Sequence, residues 1–319
     1  MRKLLAGVVA IGAAVVPALG QAVMVDSALP RYTKVEGVSG TAKSMGSDTM
    51  NNLMTLWGEA LKKHYPNIKI EIEGKGSSTA PAALIESQAQ FGPMSRPMKD
   101  SEIDKFEKAF GYKPTGLATA IDCLAVYVHK DNPIKSLTVE QVRQIFSVTG
   151  PEMKWGELGL TGAWANQPVT LYGRNSASGT YGYFKEHVLK NSDFKPTVKE
   201  QPGSSSVVQA VATDKFGIGY SGIGYKTADV RAVPIAVDNG PAFEANVENA
   251  YSGDYPIARY LYVYVNYKPG SQLDPLRREF IRLIYTQEGQ EVTIKDGYIP
   301  IPADTAREEL KKVGITPNF

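Results

Sequence analysis

Apolar residues recur along the chain at two spacings, one typical of amphipathic helices and one typical of strands. After Asp48 the helical spacing is carried by Met50, Leu53, Met54, Trp57, Ala60 and Leu61. Isoleucines at 68, 70 and 72 then alternate with polar residues as in a short strand. The same reasoning predicts helices near 82–88, 100–110, 139–146, after 179, near 206–211 and at 276–284, and strands near 121–128, 169–172, 216–220 and 260–265. Strands alternating with helices predict a mostly parallel sheet with crossover helices.

The chain is long enough for two domains, because 319 residues compare with roughly 150 per domain. The predicted strands 121–128 and 260–265 are our candidate crossings between two lobes. We therefore expect a discontinuous lobe 1, residues 34–124 and 258–319, and an inserted lobe 2, residues 125–257. Ligands of such sheets bind beyond the carboxyl ends of strands, in loops that enter helices.

The first 22 residues have the pattern of a cleaved secretory signal. Arg2 and Lys3 precede an apolar run that ends at Leu19, and small residues follow. The run is about 16 residues and contains Pro17, whereas a membrane-spanning helix needs roughly 20. Residues 1–22 are therefore predicted to be a signal peptide and the mature protein to be periplasmic.

Charge and cysteine content exclude several classes of function. The net charge is +2, and removal of Arg2 and Lys3 makes it zero, so no global field attracts nucleic acid. Cys123 is the only cysteine and lies in an apolar run, which favours a small buried side chain over a nucleophile. The three histidines are far apart in sequence, so we expect no metal and no cofactor.

Three predicted strand-to-helix loops share small residues, hydroxyls and a helix start. They contain Asp48 and Thr49, Ser77, and the run Ser178-Gly179-Thr180. A helix N-terminus offers unpaired N–H groups and a positive dipole, and Ser or Thr hydroxyls add donors. Each loop alone could be an ordinary helix cap, but three loops at one cleft indicate an oxyanion site.

Two arginines are candidates for the positive charge of that site. Arg174 stands four residues before Ser178, where a guanidinium can pair with an anion beside the helix start. Arg96 follows Ser95 in FGPMSRP, and these two residues are a candidate fourth loop. The alternative for Arg96 is an ion pair with a nearby carboxylate such as Asp48.

The ordered motifs GSDTM, GSSTAP, FGPMSRP, DNPI, RNSASGT and GIGYSGIGY resemble those of the periplasmic phosphate-binding proteins of phosphate-specific ABC transporters. The resemblance covers nearly the whole mature chain. It implies an α/β, two-lobed periplasmic binding-protein (type II) fold, with two mixed sheets flanked by helices and a two-strand hinge. It also implies capture of inorganic phosphate and its delivery to a membrane permease, by a protein that we expect to be a monomer. The matching site residues are Asp48, Thr49, Ser77, Arg174, Ser178, Gly179 and Thr180.

One departure from the family pattern concerns selectivity. Many members carry an aspartate where this chain has Ser95 and Arg96, and that aspartate accepts the proton of monohydrogen phosphate. Asp48 could replace it from the first loop. An ionised carboxylate only accepts hydrogen bonds, so it tolerates P–OH and repels fully ionised sulfate.

Other functions remain open from the sequence. The same fold could bind sulfate or molybdate, and a secreted phosphatase-like enzyme or an adhesion protein is also conceivable. The run Gly217–Gly222 matches GxGxxG, but it lies in or just after a predicted strand late in the chain. Close packing of its glycines is therefore preferred over dinucleotide binding.

Overall fold

The computed structural model describes residues 23–319. The predicted signal segment, residues 1–22, lies outside the described residues. Within the described part of the chain, every helix is too short or too polar to cross a membrane.

The described residues form twelve strands that belong to one large sheet and two small ones. In chain order, β1 to β12 are Gly40–Gly46, Ile68–Gly74, Gly92–Met94, Thr115–His129, Leu137–Thr138, Thr170–Arg174, Lys199–Gln201, Gly217–Gly222, Val230–Ala232, Ile235–Ala236, Ala242–Phe243 and Ala258–Val265.

Ten α-helices in the same part of the chain cover the sheets. In chain order, α1 to α10 are Asn51–His64, Ala80–Ile85, Asp100–Phe110, Val139–Phe146, Gly179–His187, Ser204–Thr213, Val247–Ser252, Pro275–Ile284, Gln287–Lys295 and Ala303–Lys311. All seven helices predicted from apolar spacing are present. The limits of α3 and α4 coincide with the predicted ones.

The large sheet runs through the whole molecule because β4 belongs to both halves of it. Its strand order is β3-β12-β4-β8-β6-β7, with β9 also paired to β4. From Thr115 to Cys123, β4 pairs with β12, and from Leu124 to Val128 it pairs with β8. Both pairings are antiparallel, whereas β6 pairs in parallel with β7 and β8. The fold is therefore mixed α/β, and the prediction of a mostly parallel sheet is wrong for its centre.

We use lobe 1 for residues 34–124 and 258–319 and lobe 2 for residues 125–257; this division stays a prediction. The proposed boundary at residue 124 lies inside β4. Beside the proposed boundary at residue 258, Leu124 N–H donates to Ile257 O at 3.0 Å. Among the described residues, β12 pairs with β3 and with the first part of β4.

Buried side chains fix the helices against the sheets. Trp57 of α1 is fully buried and its indole N–H donates to Gly289 O at 2.8 Å, which satisfies its one polar group. Cys123 is also fully buried, and burial, with Asp122 beside it, raises the pKa of its thiol. The prediction of a small buried side chain is confirmed.

The glycines of the run Gly217–Gly222 lie inside β8 rather than at a helix start. A Cβ at Gly219 would lie 2.9 Å from side-chain carbons of Val207 and Val211 on α6. These glycines therefore permit close packing of α6 on the sheet, as preferred from the sequence.

Candidate functional site

The three predicted loops each follow a strand and lead into a helical segment. Thr49 lies between β1 and α1, Ser77 opens a single 3-10 turn between β2 and α2, and Ser178 to Thr180 follow β6 and begin α5. The Oγ1 atoms of Thr49 and Thr180 are 2.9 Å apart. A Cβ at Gly179 would collide with the Ser77 hydroxyl. The structure thus brings the three loops together across the two lobes.

Ser95 joins this cluster as the fourth loop. Its N–H donates to Ser77 Oγ at 3.0 Å, and its Oγ accepts a hydrogen bond from Ser47 Oγ at 3.1 Å. Both Ser77 and Ser95 are fully buried. Buried hydroxyls that bond mainly to one another are donors available to an anion placed among them.

Ser178 combines capping with a position in the cluster. Its Oγ accepts hydrogen bonds from the N–H groups of Thr180 at 3.1 Å and Tyr181 at 3.3 Å, so the side chain is the N-cap of α5. The hydroxyl proton is still free to be donated. The capping role and the binding role therefore do not exclude each other.

Arg174 is a buried cation beside this cluster. It is 2% exposed, its Nη1 donates to Ser204 Oγ at 2.6 Å, and the same atom lies 3.1 Å from Asp48 Oδ2. Burial lowers the pKa of Arg174, and the Asp48 carboxylate opposes that effect. The Nε–H finds no acceptor within residues 23–319. A buried guanidinium N–H without a partner costs free energy unless a ligand completes it.

Asp48 joins the lobes at this point. Besides Arg174, its Oδ2 accepts a hydrogen bond at 2.8 Å from the N–H of Ser204, the first residue of α6. A carboxylate at a helix N-terminus also interacts favourably with the helix dipole. The Oδ1 atom accepts no hydrogen bond from the described residues, so it has acceptor capacity left.

In the structure Arg96 pairs with a carboxylate of the protein, whereas the sequence analysis predicted that it binds the ligand. Its guanidinium makes a bidentate pair with Glu102, at 2.7 and 2.8 Å, and also donates to Pro97 O. Burial is the largest single influence on Glu102 and acts to raise its pKa, but the hydrogen bonds and charges of Arg96 and Lys99 together outweigh it, so the pKa is lowered. The charge of Arg96 is therefore already balanced, by Glu102 rather than by Asp48.

Sequence reasoning missed a second guanidinium beside the cluster. Arg259, at the start of β12, pairs with Asp122 of β4 through two N–H groups at 2.8 and 3.0 Å. It also donates to Thr180 Oγ1 at 2.9 Å and to Ser95 O at 2.8 Å. Asp122 is fully buried. The sequence did contain a sign of this pair, since Asp122 and Arg259 are charged residues inside two apolar runs. One of these runs lies at each proposed crossing between the lobes.

A groove of about 910 Å³ opens beside the cluster between the lobes. Its lining includes Ser178 and, from β12, Arg259, Tyr260 and Tyr262. No group of three His, Cys, Asp or Glu side chains among residues 23–319 could hold a metal ion. With hydroxyls, amides and guanidinium groups, the chemistry of the site is that of an oxyanion receptor.

The sequence of this chain is similar to those of known binding proteins. A family model described as a PBP superfamily domain matches residues 33–288. The phosphate-binding protein PstS of Pseudomonas aeruginosa is 54% identical over 322 residues, covering 99% of both chains. PstS of Staphylococcus haemolyticus is 31% identical, covering 96% of this chain and 95% of the relative.

Solved structures show the same architecture. A Clostridium perfringens protein assigned as a phosphate ABC transporter substrate-binding protein, with bound phosphate, superposes with a TM-score of 0.70 and 27% identity. The alignment covers 82% of this chain and all of the other. An ABC-type phosphate transport receptor from Vibrio cholerae has a TM-score of 0.64 at 20% identity, over 82% of this chain and all of that one, and shows the fold alone.

Proposed function

Because this chain belongs to the PstS phosphate-binding proteins of the PBP superfamily, we propose that its four-loop cluster captures inorganic phosphate for delivery to an ABC permease. The proposal rests on one observation: the buried Arg174 Nε–H has no acceptor among the described residues. The guanidinium that carries this N–H lies next to clustered hydroxyls. An anion oxygen would supply the missing acceptor, and its charge would add to that of Asp48 beside the buried cation.

The proposed ligand shell is built from both lobes. Arg174 supplies charge, and the N–H of Gly179, the first residue of α5, supplies a backbone donor. Hydroxyl donors come from Thr49, Ser77, Ser95, Ser178 and Thr180. Arg96 holds the Ser95 loop through Glu102 and acts on phosphate only indirectly. Every contact is a hydrogen bond or an ion pair, so no bond of the ligand is made or broken.

Selectivity is assigned to a carboxylate acceptor. Asp48 Oδ2 is used by Arg174 and Ser204, while Oδ1 is available for the P–OH of monohydrogen phosphate. Sulfate has no proton to donate at neutral pH, so it would place two acceptors against each other. The site therefore favours phosphate and arsenate over sulfate.

Binding and lobe closure are coupled in this proposal. Phosphate contacts residues of both lobes, so it binds the closed arrangement better than an open one and shifts the population toward it. The closed protein, exported through the segment 1–22, would act as a periplasmic monomer that meets the membrane permease. Neither turnover nor a nucleic-acid partner is part of this function.

Titration calorimetry of phosphate-free protein tests the proposal. We expect saturable binding of one phosphate per chain, competition by arsenate and no heat with sulfate. Incubation with a chromogenic phosphate ester should release no product. Absence of phosphate binding at micromolar levels would reject the function, and equal binding of sulfate or molybdate would make the protein a receptor for a different oxyanion.

A further inference from the structure

Two tyrosine hydroxyls hold the backbone of the first binding loop from opposite lobes. Tyr225, in the turn Ile223–Tyr225 after β8, donates to Asp48 O at 2.9 Å and Thr49 O at 3.2 Å. Tyr298, after α9, donates to Thr49 O at 2.8 Å. Neither side chain belongs to the proposed phosphate shell. Both act on carbonyl oxygens of the loop whose side chains do.

The two tyrosines differ in how a lobe movement would affect them. Tyr298 and the loop both belong to lobe 1, so the hydrogen bond between them lies within one lobe. Tyr225 is carried by lobe 2, so its hydrogen bonds cross the gap between the lobes. Separation of the lobes would break the Tyr225 bonds and leave the Tyr298 bond intact.

The surroundings of Tyr225 keep it a donor in the closed arrangement. Burial, with the carboxylates of Asp48 and Asp296 nearby, raises the pKa of its phenol, so the hydroxyl remains protonated at neutral pH. Gly224 packs directly on the Tyr298 ring, since a Cβ there would lie 2.8 Å from Tyr298 Cζ. The turn Ile223–Tyr225 therefore packs against lobe 1.

We propose that Tyr225 is an interlobe latch, a positioning residue whose hydroxyl stabilises the closed state and thereby slows phosphate release. The inference rests on the proposed function for its ligand, but its geometry is independent of the ligand shell. A contact made only after closure should affect dissociation far more than association.

The test compares Tyr225→Phe with Tyr298→Phe, its matched control on the same loop. Protein loaded with radiolabelled phosphate is chased with excess unlabelled phosphate, and association is measured separately. For Tyr225→Phe we expect release about 2- to 10-fold faster, the effect of one neutral hydrogen bond, with association unchanged. For Tyr298→Phe we expect lower thermal stability of the ligand-free protein and an unaltered release rate.

Two outcomes overturn the latch: release from Tyr225→Phe at the wild-type rate, or equal acceleration by both variants. If wild-type protein retains no phosphate, the proposed function fails, and the latch is then tested in the ligand-free protein. Small-angle scattering of the ligand-free chains then decides. A larger radius of gyration for Tyr225→Phe than for wild type and Tyr298→Phe supports the latch, and equal radii reject it.

Discussion

Residues that carry charge into the cleft account for most of the chemistry proposed for this protein. The position of Arg174 beside the cluster could be predicted from the sequence because it precedes a hydroxyl-rich helix start, while its part in phosphate binding stays a proposal. Arg259 and Asp122 could not, because apolar patterning predicts strands and does not show that two charged residues on different strands will meet. The pairing of Arg96 with Glu102 depended likewise on the local geometry at the start of α3.

Replacing Arg174 by alanine should weaken phosphate binding by about 2–5 kcal/mol, because a charge-assisted pair is lost from a desolvated site. Arg143→Ala is the matched control, since Arg143 forms a partly exposed pair with Glu140 on α4 of the same lobe. That change should alter affinity by less than about 0.5 kcal/mol. Calorimetry of both variants checks this, and a loss below about 0.5 kcal/mol for Arg174→Ala would remove it from the site.

Asp48→Asn should reduce the discrimination between phosphate and sulfate. The amide N–H₂ can donate to a sulfate oxygen, which the carboxylate cannot do. Asp193→Asn, at an exposed carboxylate paired with Lys185, is the control and should keep sulfate excluded. Competition calorimetry measures both. Unchanged phosphate affinity with sulfate still excluded would show that Asp48 is not the acceptor.

Helices with strong amphipathic spacing could be predicted from the sequence, but the pairing of the strands could not. Apolar periodicity located α1, α3 and α4 because each buries one apolar face, α1 against β2, α3 against α2 and α4 against β5. Strand direction is set by partners distant in sequence, and here β4 and β8 pair antiparallel although helices separate most strands.

The end of α9 carries a pH-sensitive carboxyl group. Burial raises the pKa of Asp296 to about 6 from a usual value of 3.8, against the effect of a hydrogen bond from Asn52. The unfolded chain loses this proton at lower pH than the folded chain, so the contribution of Asp296 to stability falls as pH rises from about 4 to 6.

Asp296→Asn, which mimics the protonated form, should therefore raise the melting temperature at pH 7 by roughly 2 °C or more relative to wild type. The difference should be smaller at pH 4. Asp304→Asn on the exposed face of α10 is the control and should show no such trend. Calorimetric melts across this pH range measure the effect, and a difference independent of pH would contradict the assigned cause.

The whole molecule places its binding loops at the junction of two lobes that share one sheet. Strand β4 runs through both proposed lobes, because its first part pairs with β12 and its second part pairs with β8. The sequence predicted two lobes and a cleft from its two long apolar strands. It could not show that the Asp122–Arg259 pair lies at this junction, since that requires both crossings to be adjacent in space.

The central claim is that one tetrahedral oxyanion lies among Arg174, Ser77 and the start of α5. Crystallography of the arsenate complex tests it most directly, because the anomalous signal of arsenic locates the ion independently of any interpretation of density. We predict one arsenic site, with an oxygen about 2.7–3.2 Å from Arg174 Nε. An arsenic site elsewhere, with Arg174 Nε still lacking an acceptor, would contradict the account.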